Sequence, residues 1–487
     1  MKSISKTPSP LVSLIPILIL VGMLFATIKT FGSDALNGGS QLSLLVTTAS
    51  CILIGMVFYR IPWKNYEKAI TGNITGVATS IIILLIIGAL SGIWMLSGIV
   101  PTLIYYGMQI IHPSFFLAST SLICILVSLM TGSSWTTIAT IGIALLGIGK
   151  AQGFNESWIA GAIISGAYFG DKVSPLSETT ILAASVTETP LFRHIRYMMI
   201  TTIPSIVIAL VLFAILGFST DTHSVQHIQE VALHLEQRFT ITPWLLIVPL
   251  VTAILIARKV PSIITLSIST ILACIAAAIF QPEVLREVAG EESLFKGMMM
   301  GCYGSTSLST ASPALSELVA TRGMAGMMNT VWLILCAMCF GGALTASGML
   351  KSLMNVFIRF MKTRVSLVSS TVCSGLFMNL ATADQYISII LTGNMFGKVY
   401  RKEGYDSSLL SRTTEDAVTV TSPLIPWNTC GMTQATILNV PTLAYLPYCF
   451  FNLLSPLMSI FIAAIGYKIA RRPKAEIHPA EVEELAA

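Results

Sequence analysis

Charged side chains are scarce in this chain. Asp, Glu, Lys and Arg make up 10% of its 487 residues, against about 25% in an ordinary soluble protein. That shortage speaks against a soluble enzyme and against a disordered chain. Histidine is rarer still, with six residues in all. Only His112 and His194 fall near apolar runs, and there is no H-E-x-x-H, so an enzyme working inside the membrane has no visible metal site or base. The nine cysteines lie mostly within apolar runs, as at Cys51, Cys124, Cys274 and Cys373. Cys336 and Cys339 form one C-x-x-C with no second pair, so packing is the expected role rather than metal or redox chemistry. A disulfide scaffold is disfavoured for the same reason. The net charge of +5 is too small to suggest a nucleic-acid partner.

Apolar length is what the chain has in excess. Hydrophobic residues make up 54% of it, and the mean hydropathy is +0.80. Runs of roughly 20 apolar residues, the length that crosses a bilayer, recur from end to end. The expected fold is an all-α polytopic membrane protein. Ten spans are read at about 11–30, 41–59, 76–98, 156–189, 195–218, 244–258, 260–280, 328–349, 408–438 and 441–467. The first follows Lys2 and Lys6 but precedes no small-residue cleavage site, so it reads as a span rather than a signal peptide. Two further stretches, 113–149 interrupted at Gly132 and 365–397 interrupted around Thr382, look too short for two crossings each and read as re-entrant hairpins.

The pattern repeats. Gly92 with Ser97-Gly98 recurs as Gly342 with Ser347-Gly348, Ser174-Pro175-Leu176 as Ser422-Pro423-Leu424, and Pro204 as Pro456. The chain therefore divides into a first repeat at 1–218, a polar linker at 219–243, a second repeat at 244–470 and a tail at 471–487. Five spans per half, an odd number, make the halves inverted. Charge agrees: with the N-terminus inside, the cytoplasmic segments collect 21 of the 28 Lys and Arg residues, as the positive-inside rule requires. Both termini are expected in the cytoplasm. In the linker, His223, His227, Glu230 and His234 share one helical face and Val225, Ile228, Ala232 and Leu235 another. That arrangement suits an amphipathic helix on the membrane surface better than a metal or pH-sensing site.

Ionisable residues inside spans are costly and mark function by default. Here they gather beside the repeated Ser-Pro-Leu. The first cluster holds Asp171, Lys172, Ser174, Pro175, Glu178 and Thr179, and the second Glu415, Asp416, Thr421, Ser422, Pro423, Pro426, Asn428 and Thr429. The hairpin interruptions add Thr131, Gly132, Ser133 and Ser134 in one half and Thr382, Asp384 and Gln385 in the other. Pro175 cannot donate to the carbonyl of Asp171, nor Pro423 to that of Thr419, nor Pro426 to that of Ser422. Freed carbonyls beside hydroxyls and carboxylates make an oxygen-only set, suited to a hard cation and not to a transition metal. Broken spans at equivalent positions of inverted halves point to the central site of a secondary transporter.

The expected cation- and proton-binding residues are Asp171, Ser174, Asp384, Glu415, Asp416, Thr421 and Ser422. Burial disfavours a bare carboxylate, so such a group holds either a proton or a sodium ion. Two readings stand for Lys172: an ion pair with Asp171, or a positive charge that replaces the absent cation. Glu178 is either a ligand or a helix cap. One of Glu415 and Asp416 is expected to be solvated, because Arg412 is close. Trp135 and Trp427 read as packing residues, and the glycine pairs 88/92 and 166/170 as close helix contacts.

The segments Gly166–Thr180, Thr131–Thr137 and Glu415–Gly431 resemble the NhaC-type sodium/proton antiporter family, and the similarity runs from about 11 to 467. Membership implies exchange of Na+ for H+ across a bacterial inner membrane, with no cofactor. By that resemblance, paired hairpins and unwound helices frame the substrate, and a transport domain moves against a scaffold that often dimerises. The family also includes a malate/lactate exchanger, so a proton- and sodium-coupled organic-acid antiporter is the alternative. Glu178 stands where the family often has Asp, which keeps the charge and lengthens the reach.

Overall fold

A computed structural model describes residues 8–31, 38–219, 225–290, 293–308, 316, 319–361 and 363–471. Among the described residues the regular structure is helical, and the only β contacts are two isolated bridges, Thr306–Thr321 and Tyr405–Arg471. Nine of these helices are long and apolar enough to cross a membrane, or up to eleven if two bent pairs each count as one. Their outward faces carry large apolar side chains such as Leu18, Phe25, Leu53, Val211, Ile271 and Phe461. So much exposed apolar surface is stable only against lipid. The protein is an all-helical, multi-pass membrane protein.

The expected spans at the N-terminus and in mid-chain form as helices Pro10–Phe31, Gly39–Tyr59, Leu191–Ser219 and Ser262–Phe280. Others differ in instructive ways. The third begins thirteen residues early, as the 34-residue helix Trp63–Leu96. Its polar first turns, with Lys64, Glu67 and Lys68, do not read as apolar although they are helical. The span at 156–189 is broken into Glu156–Val173 and Glu178–Val186, and the one at 408–438 into Ser407–Thr414, a wide π turn at Glu415–Thr419, a short 3-10 turn at Ser422–Leu424 and Thr429–Leu438. The last span bends by 58° between Thr442–Tyr448 and Phe450–Ile465.

The hairpins need a correction. Their arms are Pro113–Thr131 and Ser134–Ala151 in one half, Arg364–Thr382 and Gln385–Lys402 in the other. Each arm runs 18 or 19 residues, about 28 Å of helix, and both arms of the first hairpin are long and apolar enough to cross a membrane, whereas in the second only Arg364–Thr382 is. In the linker the helix Val225–Arg238 forms as expected, with Leu235 buried; His223 and the side chain of His227 lie outside the described residues. Most of the 471–487 tail does too.

The two halves use the same local devices. The left-handed glycines Gly98 and Gly348 each start a short helix, Ile99–Ile110 and Met349–Arg359. At the hairpin interruptions, Thr131-Gly132-Ser133 and Thr382-Ala383-Asp384 match position by position. Gly132 and Ala383 are both left-handed, with φ of 66° and 57°. Thr131 Oγ1 accepts from Ser133 N at 3.1 Å, and Thr382 Oγ1 from Asp384 N at 3.3 Å. Ser133 caps one arm through Thr136 N at 3.2 Å, and Asp384 caps the other through Ile387 N at 2.9 Å.

Small residues set the helix spacing. A Cβ at Gly166 would lie 2.2 Å from the Ser121 carbonyl oxygen, which fixes the first broken helix against the first hairpin. A Cβ at Gly92 would lie 2.1 Å from the Gly301 carbonyl oxygen. That neighbour is backbone and cannot step aside. Gly92→Ala is expected to destabilise the protein by about 1–3 kcal/mol, the usual cost of overpacking, read as a lower melting midpoint in detergent. An unchanged midpoint would mean the two helices separate freely.

Candidate functional site

The first break creates a carboxylate site. Pro175 ends the Glu156–Val173 helix, and Ser177 caps the helix that follows. Asp171, on the last turn before the break, turns towards the first hairpin tip. Its Oδ2 accepts from Ser134 N at 3.1 Å and from Ser134 Oγ at 2.7 Å. Its Oδ1 accepts from Ser177 Oγ at 2.6 Å, and Ser177 Oγ lies 2.9 Å from Thr179 Oγ1. Gly132 makes this possible, because a Cβ there would lie 2.7 Å from the Leu176 carbonyl carbon. Hydroxyls both donate and accept, so Ser134, Ser177 and Thr179 can serve a carboxylate or turn lone pairs towards a cation.

Asp171 lines a cavity of about 680 Å³ that is also lined by the turn at Lys259–Ile263. Thr131, Ser133, Trp135, Glu178, Gln385 and Tyr386 line it as well. Glu178 is exposed to this space and accepts from Tyr386 Oη at 3.0 Å. Its position just inside the half-helix leaves the capping to Ser177. Trp135 is a cavity wall, whereas Trp427 donates to the Leu380 carbonyl at 2.9 Å and is structural.

The second break gives a different arrangement. Lys172 does not pair with Asp171; its ammonium bonds Asp416 in the other half. Adjacent residues on a helix point to different faces, so the two charges diverge. Lys172 Nζ also donates to Ser455 Oγ at 3.1 Å. Asp416 Oδ1 further accepts from Ser455 at 3.0 Å and Thr201 at 3.1 Å. Arg412 Nε lies 3.9 Å from Asp416 Oδ2, with its guanidinium 4.8 Å from the Tyr197 ring centre. Lys172, Arg412, Glu415 and Asp416 are all wholly buried. The expectation that one of Glu415 and Asp416 is solvated therefore fails: both lie in the π turn, which is wholly buried, and Arg412 is buried with its guanidinium against the Tyr197 ring. Asp416 Oδ1 thus faces Lys172, and its Oδ2 lies nearest Arg412.

Several other expected ligands are occupied structurally. The Asp171 carbonyl freed by Pro175 accepts from Thr180 Oγ1 at 3.3 Å, and the Thr419 carbonyl freed by Pro423 accepts from Ser422 Oγ at 2.8 Å. The Ser422 carbonyl opposite Pro426 is met by Ile425 N at 3.4 Å. The freed carbonyls thus stabilise the breaks instead of facing an open site. Ser174 donates to the Leu129 carbonyl at 2.9 Å. Thr421 accepts from Asn379 at 3.1 Å, and Asn428 caps Thr429–Leu438. Ser422 also donates to Gln385 Oε1 at 2.7 Å, and Thr429 to Asp384 Oδ2 at 3.1 Å. Asp384 is buried as a helix cap and is not among the residues that line the cavity.

Ser177, Thr201, Ser455 and Tyr386 were not legible as site residues. Ser177 carried a signal, a serine before an acidic residue at a helix start. The other three come from distant segments and carried none.

A profile described as the Na+/H+ antiporter family matches residues 166–467, which include both breaks and the second hairpin. The Na(+)/H(+) antiporter NhaC of Bacillus subtilis is 38% identical over 426 residues, 87% of this chain and 91% of that protein. NhaC of Alkalihalophilus pseudofirmus is 36% identical over 457 residues, 93% of this chain and 96% of that one. A malate-2H(+)/Na(+)-lactate antiporter of B. subtilis is 33% identical over 460 residues, 93% and 95% of the two chains. These relatives are transporters matched nearly end to end, and their likeness spans the broken helices that position Asp171: the chain belongs to the Na+/H+ antiporter family.

Proposed function

We propose that this protein exchanges Na+ for H+ across the bacterial inner membrane, with Asp171 holding one ion or the other. The observation that carries this reading is the setting of Asp171: a buried carboxylate on the wall of a cavity, with three hydroxyl groups able to complete an oxygen shell. A bare carboxylate is costly in such a place. A proton neutralises it, and so does a sodium ion held by the carboxylate, Ser134, Ser177 and Thr179. Because both neutralise the same oxygens, the two ions displace each other. Alternating access of the cavity to the two membrane faces then couples their flows with no covalent chemistry.

The matching hairpin tips and breaks support two repeats, and the distribution of Lys and Arg supports their inversion, with both termini in the cytoplasm. By that orientation Lys259, on the cavity lining, lies on the cytoplasmic side. Purified protein in liposomes with a trapped pH-sensitive dye tests the function. Sodium alone is expected to release protons against an imposed gradient. A strict requirement for malate or lactate would replace this reading with organic-acid exchange.

A further inference from the structure

Two of the nine cysteines meet. Cys274 Sγ, in the span Ser262–Phe280, lies 3.7 Å from Cys302 Sγ, near the end of the short helix Leu294–Tyr303. They are 28 residues apart in the chain, with the helix Pro282–Ala289 between them, so no C-x-x-C spacing announces the pair. Both are free thiols, and both are partly exposed. Ile271, Ile275 and Met299, close by on the same two helices, are exposed as well. The pair therefore stands at the rim of the helix packing, where a small molecule can reach it.

Glycines hold the two sulfurs in place. A Cβ at Gly297 would lie 2.1 Å from the Leu285 carbonyl oxygen, and one at Gly92 would lie 2.1 Å from the Gly301 carbonyl oxygen. The short helix is thus pressed against Pro282–Ala289 on one side and Trp63–Leu96 on another. Cys302, next to Gly301, has a fixed place beside Cys274. A disulfide sets its sulfurs about 2.05 Å apart. Closing the gap from 3.7 Å takes rotation of two short side chains about their Cα–Cβ bonds.

We propose that Cys274 and Cys302 are an oxidation site: a small neutral peroxide converts them to a reversible disulfide that staples Ser262–Phe280 to Leu294–Tyr303, outside the transport site. One sulfur attacks a peroxide oxygen and the O–O bond breaks, giving a sulfenic acid and one water. The second sulfur then displaces hydroxide from the sulfenic sulfur, which forms the S–S bond and a second water. The two thiol protons leave in those waters, the sulfurs are oxidised, and the peroxide is reduced. Cys274 lies six residues before Phe280, about 9 Å of helix. By the orientation proposed above, that end of the span faces away from the cytoplasm and its pool of reducing thiols, so a disulfide there persists. Neither cysteine is among the residues that line the Asp171 cavity.

Purified protein treated with hydrogen peroxide tests this. Its mass is expected to fall by about 2 Da, the two thiol hydrogens. After unfolding, alkylation and digestion, one peptide should join Cys274 to Cys302, and reduction before alkylation should restore both thiols. Cys274→Ser and Cys302→Ser should each abolish the joined peptide. The melting midpoint of the wild type should rise on oxidation and return on reduction, because the link restrains a loop of 28 residues in the unfolded chain. Neither variant should show that rise. Sodium-driven exchange in liposomes should be the same before and after oxidation. Wild-type protein that keeps both thiols through the treatment, or joins either one to a different cysteine, overturns the proposal. So does exchange that peroxide abolishes in the wild type and spares in Cys302→Ser, since the staple would then act on transport. The mass and the joined peptide do not depend on which ion is carried, so they decide the proposal even if sodium drives no exchange.

Discussion

Asp171→Asn is expected to reduce sodium-driven proton release to the level of protein-free liposomes while the protein stays folded. Asparagine has nearly the same shape, and its amide oxygen can still accept from Ser134, whose hydroxyl now lies 2.7 Å from the carboxylate. What it lacks is charge. It takes up no proton at working pH, and it offers sodium no neutralising partner. Ser134→Ala provides a graded comparison, because it removes one hydrogen bond to the charged group and leaves the backbone N–H bond. Loss of one such bond is worth about tenfold or somewhat more in sodium affinity, seen as a raised KM. If Asp171→Asn retained sodium-dependent exchange, the site would have to lie elsewhere.

Asp384→Asn belongs beside that experiment. Asparagine caps a helix as well as aspartate does, so the bond to Ile387 N survives and stability should hold. Any loss of exchange then measures the charge of Asp384 alone and not its structural role. The melting midpoint and the exchange rate, taken together on the same preparation, separate the two.

Much of this fold was legible because lipid is a simple solvent. A run of apolar residues such as Leu191–Ser219 has one stable place, and proline at 175 and 423 marks a break wherever the chain is otherwise apolar. The carboxylate at the first break was legible for the same reason, since Asp171 in an apolar run demands an explanation. Polar helix was not legible: the first turns of Trp63–Leu96 and the last turn of Gln385–Lys402 carry charge, and hydropathy cannot tell such helix from loop. Partnership was illegible in a deeper sense. Lys172 is adjacent to Asp171 in the chain, yet it bonds Asp416, 244 residues away, because a helix turns neighbours apart and the fold decides what each one faces. The π turn at Glu415–Thr419 likewise has no signature in composition, and it holds two buried carboxylates, one of which the nearby arginine had seemed to draw towards water.

That buried pair leads to the largest expected effect on stability. Removing one member of a buried ion pair typically costs about 3–5 kcal/mol, mostly for the charge left behind. The two halves of this pair are not equivalent. With Lys172→Met, Asp416 keeps Arg412 Nε at 3.9 Å and the hydroxyls of Thr201 and Ser455, so the loss should fall near the lower end of that range. With Asp416→Leu, both Lys172 and Arg412 lose their common counter-charge, and the loss should reach or exceed the upper end. The double substitution leaves only Arg412 orphaned and should recover part of the deficit of Asp416→Leu. Melting midpoints of the four proteins in one detergent give the order: wild type highest, then Lys172→Met, then the double variant, then Asp416→Leu. Equal losses for the two single variants would mean that Arg412 does not share the Asp416 charge. The double variant also separates structure from transport, since it retains Asp171 and every hydroxyl around it. Exchange that returns with the fold would make the pair a strut between the halves. Exchange that stays lost in a folded double variant would place the pair in the transport cycle, with the charge of Lys172 answering the ion that Asp171 holds one residue away.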